Sequence, residues 1–341
     1  VASGAPERWR IVPRSTRGRR LLVAAAVVFA VLVVVLARPL VRDDGRPSGT
    51  VTMSTGVSSG VYARYGQLLR AQLAEDAPEL DMRLMKSAGS VQNIERVLSG
   101  EADFTIATAD SIAAYQEAGG EGAERLRACA RLYDDYMHLV VPARSPVERT
   151  SDLAGLRVGV GQDQSGVQLV TRELLAAAGL DMERDLTAVR LGIDSMPRML
   201  EAGRLDAFFW SGGLPTSAIE RLAEFTEIRL VPLDDLLPEL TGRDGGGHTA
   251  YYRAAVMPPD AYPQIPGTQG IDTLAVANLL VTTVEADDRL TEEITRSVIN
   301  GRDRIGGEVH AAQRVDLRTA IYTQPLDLHR GARDYYRSVK S

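Results

Sequence analysis

Residues 50–56, TVTMSTG, pass through Val57-Ser58-Ser59 into residues 60–75, GVYARYGQLLRAQLAE. The change of period between the two segments decides the fold class. The first is a short run with β-branched residues that closes on turn formers, as a strand does. The second puts Val61, Tyr65, Leu68, Leu69 and Leu73 near one helical face. A strand handed through a serine-glycine turn to a helix is the repeating unit of α/β architecture. Outward from it the same alternation continues. Strands are expected at 80–87, 103–109, 136–142, 151–161, 187–192, 206–213 and 228–233, with one or two more in 273–284. Helices are expected at 90–100, 166–179, 215–224 and 291–301, and after Asp110 and Ser195. Ser90, Asp110, Ser165 and Ser195 are the expected caps, and Gly100 and Gly179 the expected stops. The stretch 241–270 is rich in glycine and proline and reads as loop with one short strand.

Two parts of the chain share a unit. Ser90 begins S-VQNIERVLSGEADFTIA, and Ser195 begins S-MPRMLEAGRLDAFFW. Each has a serine, a short helix, a glycine (Gly100 or Gly203) and an aspartate (Asp103 or Asp206) leading an apolar strand. Two α/β lobes built alike can hold a ligand between them, at the carboxyl ends of their strands.

Composition limits the partners. The chain has 341 residues, 39 Lys+Arg against 45 Asp+Glu, and a single cysteine. That length suffices for two lobes with proper cores. One cysteine excludes an intramolecular disulfide and a Cys-rich zinc site, and the four histidines lack ligand spacing, so no metal or cofactor is expected. Residues 1–46 carry nine arginines and three acids, which leaves residues 47–341 at net −12. An acidic body without a basic stripe argues against a nucleic-acid partner.

Residues 21–37, LLVAAAVVFAVLVVVLA, contain no charge and follow six arginines. With Leu40 and Val41 extending it, the run 21–41 reads as a transmembrane anchor behind a cytoplasmic basic segment, 1–20. The arginine bias places the body on the extracytoplasmic face of the cell membrane. A cleaved signal peptide is the alternative, with Val35 and Ala37 at the small-residue positions. The run exceeds the usual apolar core of such peptides, about 7–15 residues, which favours the anchor.

Hydroxyl- and glycine-rich clusters recur where a strand hands over to a helix. They are Thr55-Gly56-Val57-Ser58-Ser59-Gly60, Ser87-Ala88-Gly89-Ser90, Thr108-Ala109-Asp110-Ser111, Gln164-Ser165-Gly166 and Trp210-Ser211-Gly212-Gly213. Helix starts offer free N–H groups and partial positive charge, so several converging on one cleft would bind a small anion such as a carboxylate. Serine and threonine are also ordinary caps, and each cluster alone is explained that way. Gly56-Val57-Ser58-Ser59-Gly60 also fits the G-x-S-x-G elbow of serine hydrolases. Such an enzyme needs several strands ahead of its elbow, whereas this one follows the first strand of the body. None of His138, His248, His310 and His329 sits in a suggestive motif.

Taken in order, STGVSSGVY (54–62), SAGSVQNI (87–94), the DF-x-IA-x-x-D segment (103–110), SDLAGLRVGVG (151–161), QSG (164–166), GRLDAFFWSGGLPTSAI (203–219) and PLDLHRGARDYY (325–336) resemble the TAXI-type solute-binding subunits of TRAP transporters. The resemblance spans about residues 50–341. It implies a two-lobed type II periplasmic-binding-protein fold, here preceded by the transmembrane helix, with lobe one formed by 47–143 and 270–341 and lobe two by 144–269. It implies a monomer, not an enzyme, that captures a small organic anion, a carboxylate of the glutamate type among them, and delivers it to a TRAP-type membrane permease.

Carried over position by position, the resemblance makes Thr55, Ser58, Ser59, Gly60 and Tyr62 ligand contacts, with Ser87, Ser90 and Asn93 from the second motif. Thr108, Asp110, Ser165, Gly166 and Trp210 complete the set. The chain departs from the family where Thr108-Ala109 replaces Gln-Asn, where Trp210 replaces Tyr and where Arg64 replaces Pro. A membrane-tethered sensing ectodomain and an exported serine esterase are the alternative readings.

Overall fold

A computed structural model describes residues 46–242, 246–265, 270–309, 312 and 315–340. The expected basic segment 1–20, the expected anchor 21–41 and His310 lie outside the described residues. No described helix is long and apolar enough to cross a membrane.

The opening strand-turn-helix is present as β1 (Gly49–Ser54) and α1 (Val61–Asp76). Next come β2 (Leu80–Met85), α2 (Ser90–Ser99), β3 (Phe104–Thr108), α3 (Ala109–Glu117) and β4 (Leu126–Pro142). The second half holds β5 (Arg157–Gly159), α4 (Gly166–Ala177), β6 (Thr187–Val189), α5 (Met196–Glu201), β7 (Ala207–Gly212), α6 (Ser217–Phe225) and β8 (Ile228–Leu230). The chain closes with α7 (Leu237–Gly242), β9 (Arg253–Met257), β10 (Ile271–Thr283), α8 (Asp288–Asn300), α9 (Arg302–Glu308) and α10 (Arg330–Ser338).

The strands run in the order β2-β1-β3-β10-β4-β7-β5-β6, with β8 on β4 and β9 on β10. β2-β1-β3 and β6-β5-β7 are parallel triplets. Between them β10 pairs antiparallel with β3 and with β4, and β4 pairs antiparallel with β7. Two long strands thus pass through both halves and tie them together.

The shared unit in the sequence has a shared structure. Asp103 accepts the Thr52 N–H at 2.7 Å and returns its own N–H to the Thr52 carbonyl at 2.9 Å. Asp206 does the same with Arg157, at 2.8 and 2.9 Å, and also pairs with the Arg157 guanidinium. In both halves the aspartate pins the start of one parallel strand to the next. Gly100 and Gly203 take the left-handed conformation that ends the preceding helix.

Successive residues of a strand point to opposite faces. Phe208 and Phe209 therefore feed two cores, one with Met196, Ile219 and Leu222, the other with Val158, Leu174 and Leu139. Leu279 and Leu280 divide likewise, between Ile94, Val97 and Ile112 on one side and Leu69, Leu73 and Ile294 on the other. Helices cover both faces, which explains strands such as β3 that are buried along their whole length.

The local expectations need three corrections. β4 begins at Leu126, ten residues before the expected strand, because Arg127, Arg131 and Asp134 break its apolar pattern. Ser90 is the first residue of α2, with Gly89 as N-cap. Asp110 lies inside α3 behind the cap Thr108.

Candidate functional site

The starts of α1, α2 and α4 meet at one cavity of about 610 Å³, counting its open mouth. Gly56, Val57, residues 60–62, 88–90 and Thr108 approach from the first half. Gly161, Gln162, Ser165–Val167, Gly192 and Trp210–Gly212 approach from the second, and Asp135 of β4 lies between. First-turn N–H groups have no partner within their own helix. The caps Gly60 and Gly89 supply no side-chain hydrogen bond to them. Ser165 does cap α4, accepting the Gln168 N–H at 3.1 Å while donating to the Gln162 carbonyl at 2.6 Å.

Seven of the residues expected to touch a ligand line this cavity: Gly60, Tyr62, Ser90, Thr108, Ser165, Gly166 and Trp210. The Ser90 hydroxyl accepts the Thr108 N–H at 3.2 Å and stands 3.1 Å from the Tyr62 hydroxyl. Tyr62 in turn donates to Asn278 Oδ1 at 2.5 Å. The Trp210 indole donates to Thr216 at 3.3 Å and lies over Gly212, where a Cβ would come within 2.4 Å of the indole nitrogen. Trp210 is held from behind as well. Tyr262 accepts the Thr216 N–H at 2.9 Å and meets His138 Nε2 at 2.8 Å, and His138 Nδ1 faces the Trp210 carbonyl at 3.4 Å. Burial pushes the imidazole down to about 4, so it is neutral and accepts from Tyr262.

The other six expected residues stand elsewhere, and the geometry gives the reason. Thr55 donates to the Met85 carbonyl at 2.8 Å, and its own carbonyl accepts from Ser87 and Asn93. Asn93 is fully buried and bonds Ser54, Thr55 and Ile106, which consumes its amide. Asp110 accepts from the Ser111 N–H and from the Tyr252 hydroxyl, at 2.7 and 2.9 Å. Burial raises its carboxyl above the usual range. Ser58 and Ser59 are exposed on a turn closed by the Gly60 N–H to Val57 carbonyl bond, and Ser59 donates to Asp194 across the mouth.

His138, His248 and His329 are engaged with Tyr262, Glu117 and the Gly331 N–H, and among the described residues no hydrogen bond joins Ser58 to a histidine.

The mouth is bridged. The Gln162 side chain donates to the Ala88 carbonyl at 2.7 Å, and the Gln92 N–H donates to the Gln164 carbonyl at 3.2 Å. Asp135, Gln162 and Asn278 were not expected as site residues. The signal for Asp135 was an acid beside the apolar run 136–142, in a strand that buries most of its residues.

Comparison with known proteins places the chain. The profile of the NMT1-like family matches residues 53–339. A solved protein from Bordetella bronchiseptica RB50 is 18% identical, with 78% of each chain covered and a TM-score of 0.52, and so shares the fold. The periplasmic aliphatic sulphonate binding protein SsuA from Escherichia coli is 13% identical, covering 79% of this chain and 76% of that one at a TM-score of 0.43. The alkanesulfonate-binding protein SsuA from Xanthomonas axonopodis pv. citri is 17% identical, covering 86% and 84% at 0.46. Matched over nearly all of its described body, the chain belongs to the NMT1-like family.

Proposed function

We propose that this chain is an extracytoplasmic solute-binding protein of the TAXI type, which captures a small carboxylate-bearing solute and presents it to a TRAP-type membrane permease. The observation that carries the reading is the convergence of three helix starts, at Gly60, Gly89 and Ser165, on one cavity. The partial positive charge of three helix starts gathers there. The lobes would be 47–143 with 270–341, and 144–269, hinged where β4 and β10 cross. The Gln162, Gln164 and Ser59 bridges would belong to the closed form that a permease reads. The run 21–41 would tether the protein to the membrane.

Uptake tests this reading. Cells lacking the chain should lose sodium-dependent uptake of the solute that the purified protein retains. Uptake driven by ATP would assign the partner to the ABC class instead. Uptake unaffected by the deletion would refute a transport role.

A further inference from the structure

Among the described residues that line the cavity, the one charged side chain is an acid. Asp135 is 5% exposed, and its Oδ1 has no hydrogen-bond partner among the described residues. Its neighbour on β4 is handled differently: Asp134 pairs with Arg131 at 2.5 Å and with Arg253. Among the described residues, no arginine, lysine or histidine lines the cavity. Asn278 and Ser211 hydrogen-bond the carboxyl but bring no counter-charge. A buried carboxylate without a counter-charge is costly, and one facing a binding cavity is satisfied by a ligand that brings it.

We propose that the cleft takes a zwitterion, with its carboxylate at the helix starts, its primary ammonium on Asp135, and an uncharged body against Val57, Val61, Val167 and Trp210. The proposal rests on the reading of the cleft as a solute site and narrows it. A dicarboxylate would bring a second negative charge to walls whose described residues include no cation. Burial pushes the Asp135 carboxyl up to about 7, with Asp110 and Asp134 acting in the same direction, and an ammonium would reverse that shift.

Calorimetry on the full chain in detergent, with matched pairs of probes, tests this. Each common amino acid is compared with its deaminated acid, for example L-leucine with 4-methylpentanoate and L-valine with 3-methylbutanoate. At least one amino acid should bind about tenfold or more tightly than its deaminated partner, the worth of one charge-assisted hydrogen bond. Asp135→Asn should erase that preference while the thermal midpoint stays the same or rises, because a buried carboxyl without a counter-charge has gone. If carboxylates bind and no amino acid binds at least about tenfold more tightly than its deaminated partner, the zwitterion is overturned and the solute reading stands. Binding of neither class to the wild type overturns both.

Discussion

Gly166 opens α4 at a point where a Cβ would lie 3.2 Å from the Ser90 hydroxyl at the start of α2. Thr108 and Ser111 hydroxyls would be 3.2 and 3.1 Å from the same Cβ. The two halves of the chain approach within the width of a small solute here because residue 166 has no side chain. Gly166→Val should fill the carboxylate end of the cavity and weaken solute binding at least about tenfold. Its stability cost should stay near the ~1–3 kcal/mol typical of overpacking. Calorimetry and urea unfolding on the one variant separate the two effects.

Asn93 should behave as a structural residue. Its amide bonds Ser54, the Thr55 carbonyl and the Ile106 carbonyl inside the core. Asn93→Ala would leave those groups unsatisfied, and each buried unpaired group costs about 1–3 kcal/mol. Urea unfolding should show a loss of about 2–4 kcal/mol. A variant of wild-type stability that no longer binds solute would mean the amide serves the ligand.

Ser59 should matter little for affinity. Its hydroxyl bonds Asp194 on the exposed surface, and Ser59 does not line the cavity. Ser59→Ala should shift the dissociation constant by no more than about threefold, within what one solvent-exposed hydrogen bond contributes. A loss of a hundredfold would put the residue inside the site.

The α/β alternation, the repeated unit and the helix starts were legible because period and turn chemistry are local. Ser165 was readable as a cap for the same reason. The first half of β4 was not legible, since its pairing with β10 comes from elsewhere in the chain and overrides the charges at Arg127 and Arg131. Ser58 and Asn93 show the limit for the site. A motif places a residue near a helix start, and the direction of its side chain is decided by the turn at 57–60 or by distant carbonyls. Asp135 became readable as a site residue only when β4 carried it between the halves.

The empty protein should lose stability through Asp135 as pH rises. The carboxyl titrates near its ordinary value when unfolded and at about 7 when folded. Its contribution is therefore fully present below about pH 4 and is lost as pH rises through about 7. Asp110 and Asp134 raise it, Asn278 and Ser211 pull it down, and Tyr62 and Tyr133 lie close by. His138, neutral when folded, contributes with the opposite sign as pH falls from about 6.5 towards about 4. The difference in thermal midpoint between wild type and Asp135→Asn isolates the carboxyl. It should widen in favour of the variant from pH 5 to pH 8. A difference that does not change with pH would mean that the carboxyl keeps its ordinary value.

The measurement closest to the central claim is a thermal-shift titration of wild type and Gly166→Val with small amino acids and carboxylates. At least one carboxylate-bearing solute should raise the wild-type midpoint in a saturable way, by an amount equivalent to about 2.7 kcal/mol at a hundred times its dissociation constant. At the same concentration Gly166→Val, bound at least about tenfold more weakly, should move by no more than about half as much. If no carboxylate shifts the wild type, or if both proteins respond alike, the cavity between Gly60, Gly89 and Ser165 is not the solute site.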